Sequence, residues 1–220
     1  MKTRKATLWR GYYRPYVERA KERGVNAVQL LDEEWYDGRK SAEWVRPYVS
    51  RDSVVLEIAC GIGRVSRFVA PHCRHLSCAD ILEEALREAR RNLAVFDNVS
   101  FHEINGYDLR GFGTEEFDCV YSFTTFFHFD FELVVHYFAE MGRVLKPGGI
   151  GLIEFKRWCD DRDLDQLLSK IERVGGIEKY ETKLDKWRYV SKEMLRILCA
   201  RYRLDVLDDD TTKYTVRKPT

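Results

Sequence analysis

No apolar run in this chain comes near the roughly 20 residues that a membrane span requires. The N-terminus also lacks the apolar core of a secretory signal. Charge of one sign is missing as well: 37 Lys and Arg stand against 36 Asp and Glu, a formal net charge of +1. With no global field, nothing holds a polyanion or an anionic membrane by charge alone. These absences predict a cytoplasmic protein, without a membrane partner and with nucleic acid disfavoured. The basic residues near the start, Lys2, Arg4, Lys5 and Arg10, are expected to be solvated. Paired CxxC motifs are absent too. Cys60, Cys73, Cys78, Cys119, Cys159 and Cys199 are scattered, as reduced and mostly buried thiols are, rather than set out as a disulfide framework. His72, Cys73, His75 and Cys78 hold four soft ligands in a short span. Yet His75 to Ala79 reads as a strand, whose alternate side chains point to opposite faces, so no metal site is expected.

What the chain does have is 220 residues with 45% hydrophobic content, enough for one domain with an ordinary core. Tyr12 to Arg23 puts Tyr13, Tyr16, Val17 and Ala20 on one helical stripe and stops at Gly24. A second helix follows Gly38, with Ala42, Val45 and Val49 apolar and Pro47 bending or ending it. Residues 1–50 are therefore expected to form a helical extension, and residues 51–220 the core.

From Ser53 strands and helices alternate. Strands are predicted at Val54 to Ile58, His75 to Ala79, Val99 to Ile104, Phe117 to Ser122 and Ile150 to Phe155. Helices are predicted at Arg64 to Ala70, Glu83 to Leu93 and Glu132 to Leu145, the last halted by Lys146-Pro147-Gly148-Gly149. Such alternation implies a doubly wound α/β fold with a mostly parallel sheet. Helical stretches follow at Asp163 to Val174 and Ser191 to Ala200. Leu204 to Leu207 and Lys213 to Arg217 are strands too close for a parallel crossover, so the sheet is expected to end in an antiparallel hairpin.

In such sheets ligands bind at the carboxyl ends of the strands, where the winding direction switches. The first strand ends in Glu57-Ile58-Ala59-Cys60-Gly61-Ile62-Gly63-Arg64, an acid followed by a tight glycine turn and a helix start. Gly61 and Gly63 allow close backbone approach to a ligand. Glu57 repels phosphate and favours an ammonium or sulfonium. Asp80 ends the second strand roughly 20 residues further on, the spacing at which a carboxylate takes ribose hydroxyls. Asn105 and Gly106 end the third strand, where an amide and a free N–H can read an adenine edge. Ser122 and Phe123 end the fourth. Each also has a plain structural role: turn glycines, a helix cap at Asp80, ordinary turn residues at Asn105 and Gly106.

Taken in order, these segments resemble the class I S-adenosylmethionine-dependent methyltransferases. VVLEIACGIGR is similar to that family's glycine-rich motif, LSCADI to its acidic second-strand end, and FHEINGYDL to its adenine-side motif. EFDCVYSFTTFFHF is similar to its fourth-strand motif and RVLKPGG to the turn before the fifth strand. The resemblance implies a seven-stranded Rossmann-like sheet with S-adenosylmethionine as cofactor and S-adenosylhomocysteine as product. By position it implies that Glu57, Ala59, Gly61 and Gly63 surround the methionine part and that Asp80, with Ile81, holds the ribose. Asn105, Gly106 and Tyr107 would then bound the adenine, and Ser122 and Phe123 would reach the amino group through their backbone. Two positions depart from the pattern. Ala59 stands at the usual first glycine, which suits an alanine whose φ is negative. Asn105 replaces a frequent aspartate and keeps only the acceptor oxygen.

The resemblance also places a lid over the cofactor at Trp35, Tyr36 and Arg39. With Phe127 and its phenylalanine neighbours, these suggest a pocket for a small, partly apolar acceptor methylated on oxygen or nitrogen. His128, just past the fourth strand, is the candidate base, with a partly buried structural histidine as the alternative. Protein or RNA as acceptor remains open. For nucleic acid, though, the expected Pro-Pro motif at the fourth strand is replaced by Ser122-Phe123-Thr124-Thr125, and Cys119 lies mid-strand. An NAD-dependent dehydrogenase is a further alternative, opposed by Ser66 at its third glycine and by Glu57 facing the pyrophosphate. A cofactor-binding module without activity needs only the glycine turn.

Overall fold

Val55 and Leu56 are fully buried although they point to opposite sides of their strand, which requires a sheet covered on both faces. The computed structural model describes residues 4–34, 38–157, 161–182, 187–209 and 212–220. It places β1 (Val54–Ile58), β2 (His75–Asp80), β3 (Val99–Glu103), β4 (Phe117–Ser122) and β5 (Leu145–Glu154) in one parallel set. With β8 (Asp205–Asp208) and β9 (Lys213–Arg217), the order is β3-β2-β1-β4-β5-β9-β8, and β9 runs antiparallel to both β5 and β8. The order reverses between β1 and β4, so their carboxyl ends flank the switch point.

Leu56 and Ile58 join Phe117, Val120, Phe138 and Phe155 in the core under α6 (Phe131–Val144) and α9 (Lys192–Arg201). Val55 joins Leu76, Cys78, Leu86 and Tyr121 on the other face, under α3 (Arg39–Val45), α4 (Ser66–Val69) and α5 (Glu83–Asn92). Cys60, Cys73, Cys78, Cys119 and Cys199 are free and buried, and Cys159 lies outside the described residues. His75 Nε2 meets Ser100 Oγ at 2.8 Å while Cys78 lies in the core, the separation that alternation requires.

Several elements differ from expectation. The helix α1 (Arg4–Glu22) starts eight residues before Tyr12 and runs through Pro15 to the left-handed Gly24. An unforeseen α2 (Ala27–Glu34) follows it. Lys146-Pro147-Gly148-Gly149 lies inside β5, because Leu145 already pairs with Phe117 and a register shift absorbs the irregularity before Cys119 pairs with Ile150. Pro71 confines the helix after the glycine turn to α4 and one 3-10 turn, Ala70–His72. Between β5 and α9 the expected helix is α7 (Asp161–Arg173), and the chain adds β6 (Lys156–Arg157), α8 (Ile177–Thr182) and β7 (Tyr189–Val190) around it. β6 and β7 form a separate parallel pair, too short to signal in sequence. No helix among the described residues is long and apolar enough to cross a membrane.

Candidate functional site

Two carboxylates are buried at neighbouring strand ends. Glu57 is 3% exposed, and its Oε2 accepts hydrogen bonds from the hydroxyls of Tyr121, at 2.8 Å, and Ser66. Burial pushes its carboxyl up to about 7, and those two bonds and Arg64 only partly oppose that rise. Asp80 is 5% exposed; Oδ2 accepts from the Gly61 N–H and Oδ1 from the Leu82 N–H, each at 2.9 Å. Burial raises it to about 6, again against the pull of its N–H donors. Asp80 does not cap α5, whose flanking residue is Leu82. It clamps the glycine turn onto β2 instead, helped by Cys60 N–H donating to the Ala79 carbonyl at 3.0 Å.

The turn itself is left-handed at Ala59 (φ 60°), Gly61 (φ 56°) and Gly63 (φ 83°). The negative φ that suits an alanine at position 59 is therefore not met, and Ala59 holds a conformation that costs an L-residue about 1 kcal/mol. A Cβ built on Gly61 would run into the Tyr13 hydroxyl, and one on Gly63 would lie 3.1 Å from Leu93 Cδ1. Both glycines are thus demanded by dihedral and by space.

At the third strand end the Asn105 side chain is spent locally. Its Oδ1 accepts from the N–H groups of Tyr107 (2.7 Å) and Asp108 (3.0 Å), and its Nδ2 donates to Asp108 Oδ1 at 3.0 Å. The oxygen expected to face an adenine amine already holds the turn closed. Gly106 (φ 78°) packs against Ile81, whose Cγ2 would lie 2.8 Å from an added Cβ. Tyr107 is exposed beside it. At the fourth strand end Ser122 is fully buried and donates to the Ile58 carbonyl at 2.8 Å. Phe123 packs between Trp44 and Tyr121, with ring centroids 5.3 and 5.5 Å away.

A cavity of about 80 Å³ lies at the ends of β1 and β4, lined by Glu57, Ala59, Arg64, Phe123, Thr124 and His128 together with Trp9, Tyr13 and Leu31 of the N-terminal helices; Asp80, Asn105 and Gly106 do not line it. His128 ends a 3-10 turn, Phe126–His128. Its imidazole meets Trp9 edge to face at 5.2 Å and Phe127 at 4.5 Å.

Of the residues expected to form a lid, Trp35, Tyr36 and Arg39, the described Arg39 does not line this cavity. Trp35 and Tyr36 lie outside the described residues. Arg39 is exposed with its guanidinium 4.8 Å over the Phe68 ring, on the flank of α3. Phe127 is buried but does not line the cavity; Lys156 Nζ stands 5.8 Å over its ring. The covering element is α1, through Trp9 and Tyr13. Sequence showed Tyr13 on an apolar stripe, yet nothing in a stripe says which surface it covers. Arg10, expected to be solvated, pairs with Glu84 of α5 at 2.8 Å.

The donor set fits a ligand with a positive head, a ribose and an adenine. Two buried acids stand at the first two strand ends, a glycine turn lacks Cβ atoms where backbone must approach, and the Asn105–Gly106 turn ends the next strand. Residues 55–149, from the second residue of β1 through Gly149, match the family model described as a methyltransferase domain. This match agrees with the methyltransferase resemblance of the sequence motifs. Residues 55–149 are thus similar to a domain of methyl transfer. Solved structures share the fold of this chain at low identity. A SAM-dependent methyltransferase from Methanosarcina mazei is 18% identical, with 80% of this chain and 97% of that chain covered and a TM-score of 0.61. A Haloferax volcanii complex with a methyltransferase activator gives 19% identity, 94% and 98% coverage and a TM-score of 0.66. Geranyl diphosphate C-methyltransferase from Streptomyces coelicolor, solved with Mg2+, geranyl diphosphate and S-adenosyl-L-homocysteine, gives 13%, 82% and 80%, and 0.63. No curated protein matches the sequence.

Proposed function

We propose that this chain is an S-adenosylmethionine-dependent methyltransferase that acts on an oxygen or nitrogen atom of a small, partly apolar organic acceptor. The observation that carries the proposal is the aromatic wall of Trp9, Phe123 and His128 beside the glycine turn. An enclosure of aromatic rings with one imidazole suits a compact acceptor better than a polymer. In this proposal Glu57, Ala59, Gly61 and Gly63 hold the methionyl part of the cofactor and Asp80 with Ile81 the ribose. The turn of Asn105, Gly106 and Tyr107 bounds the adenine, and Ser122 and Phe123 offer backbone groups to the amino end. Residues 1–50 act as the cover and residues 51–220 as the core.

When bound, the cofactor supplies a methyl carbon already activated by its sulfonium, with the neutral thioether of S-adenosylhomocysteine as leaving group. The protein's tasks are then to orient the acceptor and exclude water, an effect whose ceiling is about 7 to 11 kcal/mol. Phe123, Trp9 and α1 exclude water. The His128 imidazole takes the proton that a hydroxyl or ammonium acceptor must shed.

The test is incubation of the enzyme with radiolabelled S-adenosylmethionine and fractionated cell extract, followed by a panel of small phenols and amines. Label in the small-molecule fraction and saturable turnover on the panel are expected. Label confined to protein or RNA would overturn the proposal.

A further inference from the structure

Four successive carbonyls, Thr125 to His128, follow β4, and the first two close the turn that carries His128. Thr125 accepts from the His128 N–H at 2.9 Å and Phe126 from the Phe129 N–H at 3.0 Å. The next two carbonyls are left over by so short a turn and need donors from elsewhere. Arg188, 60 residues beyond His128, supplies both. Its backbone N–H donates to the Phe127 carbonyl at 2.8 Å and its Nη1 to the His128 carbonyl at 2.9 Å. Nη2 of the same guanidinium lies 2.8 Å from Asp130 Oδ1.

Asp130 shows that this arrangement overrides a local preference. It directly precedes α6, where an aspartate ordinarily accepts an N–H of the first helical turn, a bond worth about 1 kcal/mol. Here its side chain caps nothing and reaches Arg188 instead. The ion pair is partly exposed, 27% on the arginine and 58% on the aspartate, so alone it contributes little to stability. A helix cap forgone for a weak pair marks a demand from outside the helix.

Arg188 is itself anchored. It directly precedes β7, whose Tyr189 pairs with Lys156 of β6. Its neighbour Trp187 donates its backbone N–H to the Tyr180 hydroxyl at 2.9 Å, and the Lys156 and Lys170 ammoniums stand 4.5 and 4.0 Å from the indole centroid. Lys156 also stands 5.8 Å over Phe127, the residue before His128. The segment between β5 and α9 therefore meets the His128 turn through Arg188 and Lys156. At Arg188 a flat fork serves a carbonyl and a carboxylate at once, which the point charge of a lysine does not do.

We infer that Arg188 is the positioning residue of His128. By holding the Phe127 and His128 carbonyls together with Asp130, it fixes the backbone that sets the imidazole in the cavity wall beside Glu57, Phe123 and Thr124. Arg188 does not line that cavity, so its action runs through the turn. The inference rests on the reading of His128 as the base and adds the residue that directs it.

The test uses the full chain, with S-adenosylhomocysteine as the donor-site probe and the most active phenol or amine of the panel as acceptor. Arg188→Gln is expected to lower kcat at least tenfold while the acceptor KM and the S-adenosylhomocysteine Kd stay within about twofold. Arg188→Lys, which keeps the charge but not the fork, is expected to stay at least fivefold below wild type. In a His128→Ala background Arg188→Gln is expected to change kcat less than twofold, since no imidazole is left to direct. Equal losses in both backgrounds would make Arg188 a support of its own segment and overturn the inference, as would wild-type kcat in Arg188→Gln. Should Arg188→Gln fail to fold, Asp130→Asn is the milder variant: a two- to threefold loss of kcat that vanishes in the His128→Ala background is expected, and no loss would contradict the inference. NMR gives a readout that needs no acceptor. The His128 ring resonances, assigned by their disappearance in His128→Ala, are expected to shift in Arg188→Gln while those of His75 and His102 stay in place; unmoved His128 resonances would overturn the inference. Turnover by His128→Ala within a factor of two of wild type would instead remove the reading of His128 as the base, and the inference with it.

Discussion

Glu57 and Tyr121 face each other across the switch point, paired in register on adjacent parallel strands, with the phenol donating to the buried carboxylate at 2.8 Å. This bond and that from Ser66 are what keep Glu57 near 7 rather than higher, because burial drives it upward from the usual carboxylate range. A cationic methyl donor needs that carboxylate ionised.

Donor affinity is accordingly expected to rise with pH, by about tenfold between pH 6 and pH 8 if Glu57 titrates near 7. Calorimetry with S-adenosylmethionine across that range checks it. Tyr121→Phe removes one of the bonds favouring the charged form, so the same rise is expected at higher pH. A pH-independent affinity would separate Glu57 from donor binding.

The ligand-free protein is expected to show the opposite trend. Glu57 and Asp80 have raised folded-state values, about 7 and about 6, so their contribution is full below the ordinary carboxylate range near 4 and is lost as pH rises through those values. Thermal midpoints should fall from pH 4.5 to pH 7.5, and Glu57→Gln should flatten part of that slope. Saturating S-adenosylhomocysteine should oppose the fall.

Ala59 sits at φ 60°, where glycine is free of the Cβ clash. Ala59→Gly is therefore expected to stabilise the fold by about 1 kcal/mol, a rise in thermal midpoint of about 2–4 °C for a chain this long. Its side chain lines the cavity, so no core void is opened. A lower midpoint would contradict the strain assigned to that residue.

Asn105 donates to Asp108, whose carboxyl is held well below the usual range first by Arg110 and also by this amide. Asn105→Asp replaces that donor with a like charge. A loss of about 1 kcal/mol at neutral pH is expected. Urea titration of the variant measures it.

His128→Ala is expected to lower kcat by about 10²-fold or more, once an acceptor is in hand, while Kd for S-adenosylhomocysteine stays within a few-fold. Turnover within a factor of two of wild type would remove the imidazole from the proton transfer.

The parallel core was legible because its signals are local. Apolar strands end in acids and glycines in the order the winding requires, and the predicted ends of β1, β4 and β9 match the structure to the residue. The hairpin at the C-terminus followed from the short link alone. Asn105 was legible as a turn residue, but which of its atoms the turn consumes was not, since that depends on Asp108 being within reach. The part of α1 in covering the site was not legible for a similar reason. Aromatic residues near positions 35 to 39 lie next to the core in sequence, whereas Trp9 and Tyr13 reach the site only because α2 folds α1 back across the glycine turn. The β6–β7 pair was hidden because two-residue strands carry no period.

The two buried acids carry the account of donor binding, and a crystal structure of the protein grown with S-adenosylhomocysteine examines them together. The expected result is a ribose whose hydroxyls meet the Asp80 carboxylate, a methionyl end beside Glu57 and the glycine turn, and Tyr13 moved off Gly61. Ligand bound elsewhere, with Asp80 still bonded only to the Gly61 and Leu82 N–H groups, would contradict it.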